Sequence, residues 1–268
     1  MFTFHTQESL DLTWLSSSLL GDLCHGFSTR KGGVSQGHLA SLNLRGAVPS
    51  DDQPELVLEN YRRFCETIGA DLKSVILSKQ VHETTVRICT AADAGKGLFS
   101  DRDYTADALV TNVAGLPLTV FSADCGIILL HDPVNHAIGA VHAGWRGCAA
   151  GIVEKAVETM TEAYGSRPTD LLAAIGPCIG PCCFETDDDV PAAMRAALGQ
   201  DAEPYLEYRG PKWHVDLAGL NRQWLLKAGL IPEHIDTCGL CTGCRPDLFW
   251  SHRKMGNARG AQTAMISL

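Results

Sequence analysis

The pattern of apolar and polar positions along the chain predicts strands in the first half and helices around and after them. Apolar or β-branched runs of strand length recur and are separated by Gly, Pro, Asn and Asp. These runs lie at 23–29, 74–81, 84–89, 107–113, 116–122, 126–131 and 136–142. Some, such as LPLTVF and GIILL, are continuously apolar, which is typical of strands covered on both faces. The pattern therefore predicts a substantial sheet with helices packed over it.

Helical periodicity marks four further segments. At about 54–68, Pro54 suits a first turn and Gly69 is placed to end the helix. A longer apolar stripe lies at about 148–164, opposite a face of Glu and Lys. Two more helices are predicted, at 187–198 and 216–228. Since neither a linker nor an internal repeat separates these segments, we expect one layered α/β (mixed α+β) domain over residues 1–268, with a mixed sheet covered by helices.

Composition and charge exclude several classes of function. With 45% hydrophobic and 20% charged residues, the chain has the composition of a folded globular protein. The net charge is -9 and the lysines and arginines are scattered, so the electrostatic footprint of a nucleic-acid-binding protein is missing. The first residues do not form a signal peptide, and no run approaches the roughly 18 apolar residues that a membrane helix requires. We expect a cytoplasmic monomer that binds neither nucleic acid nor membrane.

The eleven cysteines are expected to be free thiols or metal ligands, because disulfides belong to exported chains. Six of them cluster in sequence: Cys178, Cys182 and Cys183 in GPCIGPCC, and Cys238, Cys241 and Cys244 in a C-x2-C-x2-C run. These six could hold a metal. However, no fourth ligand follows at the standard spacing of an iron–sulfur run, so we interpret them as free thiols without an assigned role.

Three potential metal ligands stand where apolar runs end. His82 follows the run in SKQVHETTV, Cys125 lies in the turn of FSADCGIILL, and His142 ends the run in AVHAGWRG. Each alone is more typical of a packed or locally hydrogen-bonded side chain. Together their imidazole and thiolate donors suit zinc and leave a fourth position for water, as in catalytic sites. Spacings of 43 and 17 residues exclude a zinc finger, so only the fold could assemble this site.

Residues beside these ligands suggest further roles. Asp124 is a candidate proton shuttle, and the alternative is that it only orients the turn or a zinc ligand. In AVHAGWRG, a helix is expected to begin just past Gly147, where free N–H groups and Arg146 would bind phosphate or a carboxylate. The alternative is that Arg146 simply pairs with a carboxylate. Arg30, beside the glycine-rich loop KGGVSQG, is a second candidate anion ligand.

In combination, these segments make the chain resemble the YfiH-like family, often labelled laccase-domain or polyphenol oxidase proteins. The matching segments are HGFSTRKGGVS with SLNL at 25–44, QVH at 80–82, ADALVT at 106–111, SADC at 122–125, VHAGWRG at 141–147, AIGPCIGPCCFE at 174–185, and LCT with FWSHRK at 240–254. The resemblance implies zinc on His82, Cys125 and His142. It also implies phosphorolysis of adenosine, inosine and methylthioadenosine with inorganic phosphate, and adenosine deamination. We assign Arg146, Arg30 and Asn43 to substrate or phosphate binding.

Other functions remain open. A multicopper oxidase needs HxH pairs, and this chain has ten histidines and no HxH, although copper could occupy the His2Cys site in vitro. A metal-free thiol hydrolase would use Cys125 as nucleophile and His142 or His82 as base. A purine- or anion-binding module without turnover is a third possibility, against which a zinc site with an open position argues.

Overall fold

Residues 1–45 and 52–268, described by a computed structural model, form two six-stranded sheets, a three-stranded sheet and six α-helices. In hydrogen-bonded order, the first sheet contains β1 (Phe2–Gln7), β2 (Leu12–Ser17), β3 (Cys24–Ser28), β15 (Gln262–Ser267), β7 (Leu118–Ser122) and β4 (Ile76–Leu77). The second contains β14 (Ile235–Thr237), β10 (Leu172–Ile175), β8 (Gly126–Asp132), β9 (Ala137–Ala143), β6 (Ala108–Thr111) and β5 (Val86–Ile88). The small sheet contains β11 (Glu185–Thr186), β13 (Lys212–Val215) and β12 (Leu206–Arg209). The helices are α1 (Pro54–Ile68), α2 (Trp145–Ala149), α3 (Ile152–Tyr164), α4 (Asp189–Leu198), α5 (Leu217–Lys227) and α6 (His252–Met255).

The two large sheets pack face to face, and helices cover their outer faces. Along β8, Ile127 and Leu129 belong to the core shared with the first sheet, whereas Ile128 and Leu130 belong to the core shared with α3 and α5. Both faces of this strand are therefore buried, which explains its continuous apolar run. Within the described ranges, no helix is both long and apolar enough to cross a bilayer.

The predicted mixed α/β fold class is confirmed, and the strands of its core divide between two large sheets. Each apolar run contains a strand, yet β4 and β7 join the first sheet while β5, β6, β8 and β9 join the second. One face of each large sheet is covered by the other sheet instead of by helices. An apolar run records that a face is buried and does not record whether a helix or another strand buries it.

The first predicted helix is confirmed at both ends. Helix α1 has Pro54 in its first turn and ends at Gly69, whose φ of 81° is left-handed and whose N–H donates to the carbonyl of Cys65. Its buried face, including Tyr61 and Phe64, packs against the outer face of the first sheet. The helices expected at 187–198 and 216–228 correspond to α4 and α5.

The helix predicted at 148–164 is in fact two helices. Helix α2 already begins at Trp145 with Gly144 as its N-cap, and α3 begins at Ile152. Gly151 separates them because its φ of 76° is left-handed and cannot continue a right-handed helix. The expected start just past Gly147 is therefore wrong, since Gly147 lies inside α2.

Candidate metal centre and its cavity

The register of the second sheet brings Cys125 and His142 together. Strands β8 and β9 are antiparallel with Ile127 opposite His142 and Gly126 opposite Ala143. Cys125, directly before β8, therefore lies beside the end of β9. Strand β6 pairs with β9 so that Ala108 faces Val141, which places Asp107 next to His142 on the other side. Two ligands and one carboxylate thus meet at one edge of the sheet.

His82 reaches the same edge from the loop between β4 and β5. Its backbone is left-handed, with φ at 63°. The N–H groups of Val81, His82 and Glu83 donate to the Asp107 carboxylate, each at 3.0 Å. A buried carboxylate that accepts three consecutive N–H groups fixes the turn and offsets the cost of its conformation. Asp107 therefore positions His82 through the backbone.

The three predicted ligands form a compact group. One donor atom from each of His82, Cys125 and His142 lies within 4.8 Å of the other two. The Cys125 Sγ to His82 Nε2 distance is 3.9 Å, and the two imidazole rings meet edge to face with centroids 4.9 Å apart. Tetrahedral zinc with bonds of about 2.0–2.3 Å would hold such donors about 3.5 Å apart. The donor set and its spacing therefore fit zinc after a small closing movement.

A glycine makes room for this approach. A Cβ added to Gly144 would lie 3.0 Å from both Cys125 Sγ and His82 Cδ2. The φ of Gly144 is −65°, so its backbone conformation is open to any residue. Gly144 therefore leaves space in which the side chains of Cys125 and His82 approach each other.

Asp107 also fixes the tautomer of His142. The Nδ1–H of His142 donates to Asp107 Oδ1 at 2.8 Å, which leaves Nε2 directed at the other ligands. Burial would raise the pKa of Asp107, but the hydrogen bond and charge of His142 and the N–H groups of Glu83 and Val81 outweigh it, and the pKa is lowered. This carboxylate is therefore charged and stabilises a cation or a metal-bound imidazole.

Charge coupling also activates the thiol. Burial opposes ionisation of Cys125, but the charge and hydrogen bonds of His142 and His82 lower its pKa to about 6. Burial likewise opposes protonation of His142, but Cys125 and Asp107 raise its pKa to about 9. Both shifts favour the pair of a thiolate and an imidazolium. The thiolate is the form of cysteine that binds metals.

Asp124 is buried and engaged on both oxygens. Oδ1 accepts from the Thr242 hydroxyl at 2.6 Å and Oδ2 accepts from the Arg253 N–H at 2.7 Å. Its φ is 94°, and its carbonyl accepts from the Ile179 N–H at 2.8 Å. These contacts join the turn before Cys125 to two other loops.

The three residues predicted to bind substrate or phosphate lie apart from the trio. The Arg30 guanidinium donates to the carbonyls of Pro246 and Ala40 and stacks on Trp250. The Asn43 side chain is buried, where it donates to Asp52 and accepts from the N–H groups of Arg45 and Ala261. Arg146 is exposed on α2, with its guanidinium carbon 4.2 Å from the Trp145 ring centroid. Arg146 thus contacts Trp145, a residue of the cavity wall.

A cavity of about 430 Å³ opens onto two of the three ligands, which is within the usual size range of small-molecule sites. Its lining consists of His82, Ala123, Asp124, Cys125, Trp145, Ile179, Phe184, Leu217, His252, Arg253 and Arg259. One part of the wall is aromatic and aliphatic, and another part includes Arg253 and Arg259. The cavity therefore offers an apolar surface, cations and a metal-competent trio side by side.

Sequence reasoning missed three residues of this site. Asp107 is the single acidic residue in the apolar run at 107–113, and a buried carboxylate in such a run is a signal for a paired or ligand-orienting role. Arg253 belongs to the FWSHRK segment, and Arg259 follows it. Neither arginine carries a local signal, because Arg253 in α6 and Arg259 after it reach the cavity only through the packing of distant segments.

Comparison with known proteins gives consistent results. A family model described as multi-copper polyphenol oxidoreductase laccase matches residues 24–268. The purine nucleoside phosphorylase YlmD of Bacillus subtilis is 35% identical over 248 residues, which cover 91% of this chain and 87% of that protein. The solved structure of the hypothetical protein YfiH of Bacillus licheniformis has a TM-score of 0.91 at 30% identity, covering 99% of this chain and 98% of its own. YlmD from Geobacillus stearothermophilus has a TM-score of 0.88 at 34% identity, covering 95% of each chain. These structures confirm the mixed α/β fold class.

Proposed function

The chain belongs to the multi-copper polyphenol oxidoreductase laccase family, and on that premise we propose that it is a zinc-dependent purine nucleoside phosphorylase. Its substrates are adenosine, inosine and methylthioadenosine, and it also deaminates adenosine. The observation that carries the proposal is the trio of His82, Cys125 and His142 beside a cavity that is part apolar and part cationic. The name of the YlmD relatives, purine nucleoside phosphorylase, supports the reaction class.

The trio would hold zinc through two imidazole nitrogens and one thiolate. Zinc in this place would supply a Lewis acid next to the cavity. The protein itself keeps the donors in position: Asp107 orients His142 through Nδ1 and holds the loop of His82 through three N–H groups. A zinc ion held by these three residues would have a coordination position left for water or substrate, as in catalytic zinc sites. We regard His82, Cys125 and His142 as both ligands and parts of the catalytic centre.

The cavity wall suits the parts of a purine nucleoside and of phosphate. Trp145, Ile179 and Phe184 offer surfaces on which a purine base can pack. The guanidinium of Arg253 is held by the carbonyls of Cys183 and Glu185, and Arg259 donates to the Gly260 carbonyl. A planar guanidinium binds phosphate oxygens in pairs, so Arg253 and Arg259 would bind the phosphate inside the cavity. Arg146, beside Trp145, would act at the rim.

In phosphorolysis, a phosphate oxygen forms a bond to C1′ of the ribose while the bond from C1′ to the purine nitrogen breaks. Its products are ribose 1-phosphate and the free base, which takes up a proton. The residues of this chain would hold the phosphate in line and exclude water, so that phosphate, not water, attacks. In deamination, water replaces the amino group at C6 and ammonia leaves. Asp124 is a candidate to carry a proton from the attacking water to the leaving ammonia. However, its two hydrogen bonds favour a role in positioning the turn before Cys125.

A metal-free thiol hydrolase is the second candidate, and one observation favours it. Cys125, His142 and Asp107 form a connected thiol, imidazole and carboxylate, and the pKa of Cys125 is lowered to about 6. Copper-dependent polyphenol oxidation, as the family description suggests, is a third. The lack of any HxH pair among the ten histidines disfavours it.

The deciding experiment is product analysis on a panel of nucleosides with zinc-loaded protein, with and without inorganic phosphate. We expect adenosine and inosine to give free base and ribose 1-phosphate only with phosphate, and adenosine to give some inosine in either case. Loss of activity on zinc removal and recovery on its return would separate this enzyme from a thiol hydrolase. Zinc-loaded protein that leaves every purine nucleoside intact would overturn the proposal.

Arginine variants sharpen the assignment of the phosphate site. We expect Arg259→Ala to raise the KM for phosphate by about 10-fold or more, since it removes a charge-assisted hydrogen bond, and Arg146→Ala to raise it less. The KM for inosine at saturating phosphate provides the comparison. Lys227→Ala, which changes an exposed cation on α5 outside the cavity lining, is the matched control. An unchanged phosphate KM in folded Arg259→Ala and Arg146→Ala proteins would remove both residues from the phosphate site.

A further inference from the structure

A second group of potential metal ligands lies outside the trio. Cys182 and Cys183 belong to the loop between β10 and β11, and Cys241 and Cys244 belong to the loop between β14 and α6. Their four Sγ atoms all lie within 4.8 Å of one another. Cys244 Sγ is 3.2 Å from Cys182 Sγ and 3.5 Å from Cys183 Sγ. We call these residues the four-cysteine group; Cys178 and Cys238, from the same loops, lie outside it.

The sulfur spacing indicates which ligand fits. Four thiolates around one tetrahedral zinc ion, with bonds of about 2.3 Å, are about 3.8 Å apart. A disulfide would need two sulfurs at about 2.05 Å, and the eleven cysteines are unbridged. An iron–sulfur cluster places several metal atoms between the thiolates and would hold them farther apart. We propose that the four-cysteine group binds one zinc ion as a closed, structural site.

The backbone around the group is arranged for such close sulfurs. The Gly180 N–H donates to Cys241 Sγ at 3.2 Å, the kind of hydrogen bond that stabilises a metal-bound thiolate. A Cβ on Gly243 would lie 2.9 Å from Cys183 Cβ and 3.0 Å from its Sγ, so only glycine fits there. The Thr242 N–H donates to the Cys178 carbonyl at 3.1 Å, which joins the two loops directly. A backbone hydrogen bond thus fixes the position of one loop relative to the other.

The electrostatic surroundings also suit a metal with four thiolates. Zinc and four thiolates together carry two negative charges, and two cations stand nearby. The charge of Lys254 acts on Cys244, and that of Arg209 interacts with Cys182. Two of the cysteines, Cys182 and Cys244, are exposed, so zinc can enter from solvent. The four protons that leave on binding can reach solvent by the same route.

Zinc in this place would connect the loops that build the cavity. Ile179 precedes the first cysteine pair and lines the cavity, and its N–H donates to the Asp124 carbonyl. Thr242 lies between the second pair, and its hydroxyl donates to the Asp124 carboxylate. The Cys183 carbonyl accepts from Arg253 of the cavity wall. The four-cysteine group would therefore position one wall of the cavity without touching the substrate.

The test is the zinc content of full-length protein in which the trio has been removed. We expect two zinc ions per chain in the wild type and one in His82→Ala/Cys125→Ser. Adding Cys182→Ser/Cys244→Ser, which changes the two exposed members, should lower the content from one to zero. Cys238→Ser in the same background is the matched control and should keep one zinc ion. X-ray absorption on His82→Ala/Cys125→Ser should show four sulfur ligands at about 2.3 Å.

Thiol counting in wild-type protein, unfolded with a chelator and without a reductant, keeps the test independent of how the variants fold. Eleven reactive thiols agree with the proposal. Nine, with a bridge at Cys244, would identify a disulfide and overturn it. It would also be overturned by a zinc-free but folded His82→Ala/Cys125→Ser protein, or by iron and inorganic sulfide in place of zinc. Because the trio is absent from the test protein, its own failure to bind zinc would not affect the result.

Discussion

The trio and the four-cysteine group both bring potential metal ligands together, but different parts of the fold support them. His82, Cys125 and His142 stand at strand ends and in a turn pinned to a buried carboxylate, and they face a cavity. The four-cysteine group stands on two loops, and two of its thiols are exposed. Three ligands on a sheet would leave a coordination position of zinc for chemistry, whereas four cysteines on loops would use every position to join the two loops. The number of ligands and the stiffness of their support thus distinguish a catalytic metal site from a structural one.

Removal of one ligand from each region tests most directly whether the two regions differ in role. His142→Ala should lower the rate of nucleoside phosphorolysis by about 1,000-fold or more, because the metal that would act as the Lewis acid is lost. Cys241→Ser should lower the same rate by no more than about 10-fold, because it affects only the position of the cavity wall. Steady-state rates at saturating phosphate measure both effects. Equal losses in the two folded variants would show that the regions do not differ in role.

A second change tests the rigid support of the trio. Asp107→Asn keeps the shape of the side chain but removes its charge, and we expect zinc affinity at the trio to fall by about 10- to 100-fold. Competition with a chromophoric chelator measures the dissociation constant. Asp132→Asn is the control, since Asp132 is also buried and accepts from the N–H groups of Val134 and Asn135, but at the far end of β8. If both variants weaken zinc equally, Asp107 acts only through general stability.

The smallest effect is expected at Gly144 and Gly243, which leave space for the cysteine and histidine side chains beside them. Gly144→Ala should weaken zinc at the trio by about 10-fold, since the new methyl group would lie 3.0 Å from Cys125 Sγ and from the ring carbon Cδ2 of His82, and both side chains must shift. Gly243→Ala should weaken the other site to a similar extent and leave the trio unchanged. The two variants serve as controls for each other, and chelator competition in each reports which zinc ion is released first. A methyl group at Gly144 that released the zinc of the four-cysteine group would contradict the assignment.

The sequence was sufficient for features that depend on short-range pattern. Helix α1 could be placed from Pro54, its apolar spacing and Gly69, because these residues act within the helix itself. The trio could be proposed because each ligand follows an apolar run, and strand ends are where a sheet exposes side chains. Zinc on these ligands remains a prediction, whereas their grouping is seen in the structure.

Features that depend on how distant segments meet could not be predicted. The apolar runs did not indicate that two sheets would share a core, because a buried face reads the same against a strand or a helix. The six clustered cysteines gave no hint of which four would meet, since Cys183 and Cys241 are joined only by the docking of two loops. Arg259 faces the cavity only after the chain turns back from α6. The split between α2 and α3 depends on the left-handed Gly151, which the strong apolar stripe concealed.

The hydrogen bonds of Asp107 affect which metal ion the protein will contain. This carboxylate orients His142 and holds the loop of His82 through hydrogen bonds of the protein itself, so the choice between metal ions depends on the nitrogen and sulfur donors of the trio. Copper binds nitrogen and sulfur donors more tightly than zinc does, so affinity alone will not reject it. Zinc would then occupy the trio only where free copper is scarce. The metal content of the purified protein should accordingly depend on the growth medium, and cells grown with added copper should yield protein that contains copper.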